Sequence, residues 1–222
     1  ETRHKLYEYA LAITRYVDYS CAGTVEFLVD HDENIYFIEV NPRVQVEHTI
    51  TEQITGIDIV RSQILVADGR KLSDNGINTH SQDEIRCNGF AVQCRITTED
   101  PENGFKPDYG TIIAYRSTGG FGIRLDAGAA YPGAKISPFF DSMLVKVTSW
   151  GRTLEGAISR NLRGLQEFRI RGVKTNIGFL ENVLAHPVFA AGKCTVTFID
   201  QHPELFHTTQ RFDRGTKTLK FI

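Results

Sequence analysis

The stretch Phe37–His48, FIEVNPRVQVEH, decides how the first part of the chain is read. Polar side chains fall at every second position, Glu39, Asn41, Arg43, Gln45 and Glu47, with Val40, Pro42, Val44 and Val46 between them. Alternation of this kind predicts a strand with one wet face. This face carries two acids, a guanidinium and two amides, a set with chemistry to offer. Pro42 has no N–H for a ladder, so regular pairing is expected to end there. Fully extended, Glu39 and Glu47 would lie about 26 Å apart at roughly 3.3 Å per residue, too far to share a small ligand. A turn after Pro42 would let Arg43, Gln45 and Glu47 surround a ligand of their own. Arg43 could then grip a small planar anion through two N–H groups, and Glu47 could act as a general base. An edge strand with mixed polar side chains competes with this reading, and spacing alone favours the edge strand.

Upstream lie two strand-like segments, GTVEFLVD and IYFIEV, joined by the polar turn HDEN, His31–Asn34. A four-residue turn pairs Asp30 with Ile35, so facing residue numbers sum to 65. Glu26 then faces Glu39, and Thr24 faces Asn41 on the same side. Facing Cβ atoms are about 4.5–5.5 Å apart. Two carboxylates at that separation repel unless a proton or a cation lies between them. With Asn41 adding a neutral oxygen, the set suits Mg²⁺ or Mn²⁺. The competing reading is a solvated hairpin whose acids splay into water.

Before this hairpin the spacing predicts a helix to about Asp18, with Leu6, Tyr9, Ala10, Ile13 and Val17 on one stripe. After it comes a helix over about Asp58–Asp68, ended by Gly69. Residues 70–88 are polar and loop-like. From Gly89 short strands follow, FAVQCRIT, GTIIAYRS, GIRLDAG and SMLVKVTSW, separated by Gly and Pro clusters. A helix over Thr153–Phe168 and another from an N-cap at Thr175 to just before Pro187 come next. A short strand, TVTFID, precedes the tail. The fold class is mixed α+β.

The chain has 222 residues and a net charge of -2, with acids and bases interspersed, which is no polyanion-binding composition. Arg169, Arg171 and Lys174 form a basic group, but no aromatic residues interleave with it to stack bases, so a solvated helix entry is the reading. No apolar run is long enough to span a bilayer, and no signal peptide opens the chain. Cys21, Cys87, Cys94 and Cys194 form no C-x-x-C pair, and the seven histidines show no H-E-x-x-H spacing. Free cysteines within apolar stretches fit a reducing compartment. The chain starts inside a helix without Met, so it reads as a piece of something longer.

The segments AGTVEFLVD, FIEVNPRVQVEHTITEQITGIDIV, CRITTEDP, GGFGIRLDAG and FFDSMLVKV closely resemble the biotin carboxylase family, an ATP-grasp group. The E-x-N-x-R-x-Q-V-E-H run is highly specific, and the similarity covers nearly the whole chain. EFRIRGVKTNIGFLENVLAHPVF, TFIDQHPELF and the tail RGTKTLKFI point to the pyruvate carboxylase branch of that family rather than the acetyl-CoA carboxylase subunit.

The resemblance implies an ATP- and bicarbonate-dependent ligase that carboxylates biotin on a carrier outside this chain, the carboxyl group passing on to pyruvate to give oxaloacetate. It implies that residues 1–69 end an ATP-grasp domain with an antiparallel sheet and flanking helices. Residues 70–205 would form the biotin carboxylase C-terminal domain, and 206–222 a linker toward the carboxyltransferase half. Glu26 and Glu39 would bind the Mg²⁺ or Mn²⁺ ions that bridge ATP phosphates, with Asn41 close by. Leu28 and Ile38 would approach the adenine. Arg43, Gln45 and the Val46 amide would hold bicarbonate. Glu47 would deprotonate it for attack on the γ-phosphate. Arg43 would steady the charge developing on biotin, and Arg95 would contact its ureido oxygen or bicarbonate. Phe121 and Arg124 match positions of a homodimer interface. The carrier and carboxyltransferase domains would be partners, in the cytoplasm or the mitochondrial matrix of a eukaryote.

The family's Gly-rich lid, with its phosphate-binding Lys, has no counterpart here, nor has its N-terminal lobe or a biotinylation site. STGGFGIR lacks G-K-[ST], so it is no P-loop. The 222 residues alone are therefore expected to be inactive. Alternatives are the biotin carboxylase of another acyl-CoA carboxylase, a catalytically silent dimerisation fragment, or another ATP-grasp ligase of the carbamoyl phosphate or purine type. The Q-V-E-H continuation and CRITTEDP argue against the last.

Overall fold

The computed structural model describes residues 1–128 and 130–208, in two compact units, Glu1–Asn88 and Gly89 onward. The first unit opens with α1, Thr2–Tyr16, followed by the antiparallel hairpin of β1, Thr24–Val29, and β2, Ile35–Asn41. The aromatic rings of Tyr9 on α1 and Phe27 on β1 lie 6.4 Å apart, and Phe27 and Phe37 6.2 Å apart. Two short helices follow, α2, His48–Thr55, and α3, Ile59–Ala67.

The hairpin loop is one residue shorter than HDEN implies. Asp30 N donates to the Asn34 carbonyl, so the loop is His31–Glu33, with Glu33 in the left-handed region at φ 62°. Asp30 Oδ1 accepts from the backbone N–H groups of Asp32 and Asn34, and Oδ2 from the Asn34 side chain and the Tyr36 hydroxyl. These bonds, the Asn34 side chain's first, hold the Asp30 carboxyl below its usual range. Pairing therefore starts at Val29↔Ile35, not Asp30↔Ile35, and runs to Phe27↔Phe37. The register then shifts, leaving Ile38 unpaired as a bulge, and resumes at Glu26↔Glu39, Val25↔Val40 and Thr24↔Asn41. The acidic pair faces as expected, but two departures cancel to put it there.

The second unit is built on a three-stranded antiparallel sheet, β3, Phe90–Thr97, and β8, Ile123–Ala127, flanking β10, Met143–Gly151. Short pairs surround it: β4, Glu99–Asp100, with β5, Lys106–Pro107; β6, Gly110–Thr111, with β9, Lys135–Ile136; and β7, Ala114–Arg116, with β11, Arg169–Arg171. Helix α4, Leu154–Glu167, packs on β10 and β3; α5, Ile177–Ala185, and α6, Pro187–Ala190, follow. Val92, Cys94, Ile96, Val145, Val147, Ile158 and Leu165 make one buried core. Asn161 of α4 is wholly buried and donates to the carbonyls of Val92 (2.8 Å) and Val147 (3.2 Å), tying helix to sheet. Gly151 lets that helix start close to the sheet, since a Cβ there would meet Ala157 N at 2.5 Å.

Several expectations are corrected in this unit. GTIIAYRS is not one strand but two, because Ile112 N bonds the Ala134 carbonyl while Ile113 N turns to the Arg171 carbonyl. TVTFID forms turns rather than a strand. Phe198 alone is anchored there, while Val196 is 85% exposed. The N-cap of α5 is Asn176, not Thr175. Its side chain bonds Thr97 N and the Arg95 carbonyl on β3 instead of capping the helix. Of the four free cysteines only Cys94 is buried. Residues 209–222, which include most of the expected linker and the tail RGTKTLKFI, lie outside the described residues.

Candidate active site

The hairpin delivers its acids to one face. Thr24, Glu26 and Leu28 alternate on one side of β1, and the Ile38 bulge brings Glu39 and Asn41 of β2 to that same side. Asn41 Nδ2 donates to Glu26 Oε1 at 3.0 Å and to Glu39 Oε1 at 2.9 Å, so one amide bridges both carboxylates. The opposite side carries Phe27, Ile35 and Phe37, which line a recess with Tyr9, Ala12 and Ile13 of α1. Leu28 and Ile38 are 44% and 54% exposed, available to a flat apolar ligand.

The chain turns after Pro42, as the ligand reading of the opening stretch requires. Strand β2 ends at Asn41, and Arg43 N donates to the Asn41 carbonyl at 2.8 Å. Gln45 is thereby brought back to the hairpin, where its Nε2 donates to Glu26 Oε1 at 3.0 Å. Arg43, Gln45 and Glu47 line one cleft of about 550 Å³ together with Glu26, His48 and Thr51. The alternating pattern is therefore no extended edge strand.

Helix α2 was not legible in the sequence. It begins at His48 behind Glu47, which gives no side-chain cap, and its buried residues are Thr49 and Glu52 rather than apolar ones. Glu52 Oε1 accepts from Ile59 N at 2.8 Å, at the first turn of α3, and lies 3.2 Å from His48 Nδ1. Asp58 caps α3 by accepting from Arg61 N. The cleft wall is thus welded by polar contacts. The His48–Glu52 spacing, i to i+4, was the available signal for a helix face.

The donor set fits a hard cation. Two carboxylates already converge on one donor position, and reversing the Asn41 amide would present its oxygen there. Beside it the Arg43 guanidinium, the Gln45 amide and the Glu47 carboxylate offer anion contacts and a base. Val46 is half-buried in the turn that leads into α2. Arg95 belongs to the second unit, at an exposed position of β3 facing Lys146 across the ladder. Phe121 is 79% exposed, with the Arg160 guanidinium 5.0 Å from its ring. Arg124 makes a two-point contact with Asp126 at 2.8 and 2.9 Å.

Comparison with known proteins gives consistent results. Residues 93–201 match the biotin carboxylase C-terminal domain, and residues 1–75 the ATP-binding domain of the carbamoyl-phosphate synthase L chain. Pyruvate carboxylase of Bacillus subtilis is 56% identical over all 222 residues, which cover 19% of that relative. The crystal structure of a complete multifunctional pyruvate carboxylase from Rhizobium etli superposes with a TM-score of 0.92 at 53% identity, over 99% of this chain and 20% of that one. The biotin carboxylase domain dimer of Hydrogenobacter thermophilus 2-oxoglutarate carboxylase, a complex with MgADP, ADP and bicarbonate, is 40% identical with a TM-score of 0.86. This chain is covered there over 94% of its length, and that one over 45%. The chain spans about a fifth of the length of the curated relatives it matches.

Proposed function

The chain belongs to the biotin carboxylase family, and on that premise we propose that residues 1–88 hold the metal- and bicarbonate-binding half of a biotin-carboxylating site. The observation that carries this reading is the shared Glu26 carboxylate. Its Oε1 receives both Asn41, beside Glu39, and Gln45, beside Arg43 and Glu47. A cation position and an anion position are thereby joined through a single side chain.

In this reading Glu26, Glu39 and Asn41 hold Mg²⁺ or Mn²⁺, which supplies charge neutralisation for ATP phosphates. Arg43, Gln45 and the Val46 amide orient bicarbonate. Glu47 takes its proton, so that the bicarbonate oxygen can attack the γ-phosphate, with ADP leaving. Leu28 and Ile38 flank the adenine. The carboxyphosphate so formed splits into CO₂ and phosphate, the phosphate takes the ureido N–H proton, and the ureido nitrogen attacks CO₂, with Arg43 supporting the negative charge on biotin and Arg95 as a further contact. The parent enzyme is proposed to be a pyruvate carboxylase, whose carrier and carboxyltransferase domains receive the carboxyl group and deliver it to pyruvate. Domain assignments 1–69, 70–205 and 206–222, a homodimer contact at Phe121 and Arg124, and a cytoplasmic or mitochondrial-matrix location belong to the same proposal. No helix among the described residues is long and apolar enough to cross a membrane.

Arg43→Ala in the full-length enzyme tests the reading. Loss of a positioned charge-bearing donor is expected to lower biotin carboxylation by roughly 10²–10³. Arg43→Lys should restore it incompletely, because an ammonium cannot form the planar fork. Near-normal bicarbonate-dependent ATP cleavage in Arg43→Ala would remove the role. The 222 residues alone should show no such cleavage and only weak Mg-ATP binding, measured by phosphate release and calorimetry.

A further inference from the structure

His186, His202 and Glu204 each bring a ligand atom within 4.8 Å of the others, and among the described residues no other trio of His, Cys, Asp or Glu does so. They are far from the site above in sequence and belong to the second unit. His186 joins α5 to α6, while His202 stands at the N-cap of the turn Pro203–Phe206 and Glu204 lies within it, near the end of the described chain. The sequence hid the group because its members are separated by a long segment with no recognised ligand spacing.

The geometry prepares these side chains as donors. His202 Nδ1 lies 2.7 Å from the Phe198 carbonyl. A carbonyl only accepts, so Nδ1 carries the proton and Nε2 keeps its lone pair. An N–H bond of this kind to a backbone carbonyl is how metal-binding imidazoles are commonly oriented. His186 and His202 rings pack at 4.3 Å and 70°, and both lie against Phe198, at 5.1 and 4.7 Å. Phe198 is 6% exposed, so the rings rest on the fixed floor it makes with Phe179 and Leu205. His186 Nε2 is 3.6 Å from Glu204 Oε1, farther than a hydrogen bond. The Glu204 side chain is 60% exposed, which leaves the site open to entry.

We propose that His186, His202 and Glu204 bind one first-row transition-metal ion, Zn²⁺ foremost. Two imidazoles and one carboxylate suit Zn²⁺, Co²⁺ or Ni²⁺, whereas Mg²⁺ and Ca²⁺ prefer oxygen alone. Binding at His186 Nε2 moves the ring proton to Nδ1 and gives up the 3.3 Å bond from Val188 N, which tempers the affinity. The bound ion clasps the 195–208 segment to the α5–α6 corner, beside the contact of Phe198 and Leu205 with Phe179. It is a tether, independent of the carboxylating site.

The chelator-treated 222-residue chain is titrated with Co²⁺ in the visible range and with Zn²⁺ by competition and thermal unfolding. With excess Mg²⁺ present to fill the Glu26–Glu39 position, one equivalent, d–d absorption and a Zn²⁺-dependent rise in Tm are expected, none of them reproduced by Mg²⁺. His202→Ala should weaken Zn²⁺ binding by roughly 100-fold or more, since even outer-shell partners are worth 10–100-fold. Glu204→Gln, at an exposed position, should weaken it by about tenfold with the fold intact by circular dichroism. His80→Ala, at an exposed histidine elsewhere, should change nothing. Absent Co²⁺ bands, or equal affinity in wild type and Glu204→Gln, would overturn the proposal, as would equal loss on His80→Ala.

Discussion

In residues 89–208 Ile96, Ile112 and Val147 have no exposed surface and Leu165 has 1%, whereas in residues 1–88 the only buried residues are Thr49 and Glu52. The two units hold their shapes by different means. The second buries a continuous apolar core between sheet and α4, the dominant favourable term in folding. The first relies on turn chemistry at Asp30, the Glu52 link between two helices and the amides around Glu26. Tyr9, Tyr36, Phe37 and Ile38 there are all about half exposed. The candidate catalytic residues lie in the unit without a core. Their positions are thus set by hydrogen bonds of about 1 kcal/mol each, not by packing.

The largest expected difference between the units comes from truncating apolar side chains. Ile96→Ala or Leu165→Ala should destabilise the second unit by about 2–5 kcal/mol, read by urea unfolding followed through Trp150, the single tryptophan. Ile13→Ala, on the half-buried stripe of α1, should cost under about 1 kcal/mol by circular dichroism. Equal losses would erase the distinction drawn between the units.

Asparagines sharpen it at a smaller scale. Asn161→Ala strips buried partners from the Val92 and Val147 carbonyls and should cost about 1–3 kcal/mol. Asn41→Ala frees carboxylates that water can reach and should cost no more than about 1 kcal/mol, while weakening Mn²⁺ binding in the full-length enzyme, read by paramagnetic relaxation. A stability loss at Asn41 matching that at Asn161 would show that the site amide also holds the fold.

At neutral pH the remaining effect is silent, and it emerges only in the alkaline range. Burial pushes the Cys94 thiol up to about 12 from an ordinary 9.0. A raised folded value means the contribution is intact below the unfolded value and is lost as pH rises toward 12. Between those limits the second unit should lose about 1.4 kcal/mol per pH unit from this group. Cys94→Ala should flatten that slope, measured by urea unfolding at stepped pH. Cys21, exposed and held below its usual range chiefly by the Gln63 amide, should react with a thiol reagent well before Cys94. Early loss of Cys94 would mean its core opens more readily than α4 packing implies.

What the sequence revealed follows from which interactions are periodic. Long apolar patterns, as in α4 and β10, were read with near-final bounds because burial imposes their period. Pro42 announced the turn that gathers Arg43, Gln45 and Glu47, since a missing N–H is visible in one letter. Helix α2 was missed because its inward residues are Thr49 and Glu52, which carry no hydrophobic period. The GTIIAYRS segment changed partners between Ile112 and Ile113, a decision made by residues distant in sequence. The His186–His202–Glu204 group was invisible for the same reason, since only the fold makes its members neighbours.

The unpaired Ile38 has a consequence for how this segment can change over generations. Residues on either side of it are written in opposite phases, Phe37 toward α1 and Glu39 toward the acids of β1. Replacing Ile38 by another side chain alters one exposed position. Losing it by deletion would restore unbroken pairing with Glu39 still opposite Glu26 and Asn41 still opposite Thr24, whereas drawing Ile38 itself into the ladder would turn Glu39 and Asn41 to the aromatic side and dismantle the cation position without touching any of its residues. A gap at this place therefore keeps the phase of the acids, while a bulge that closes with the residue still present loses it: heredity can drop the extra residue, but it cannot pair it.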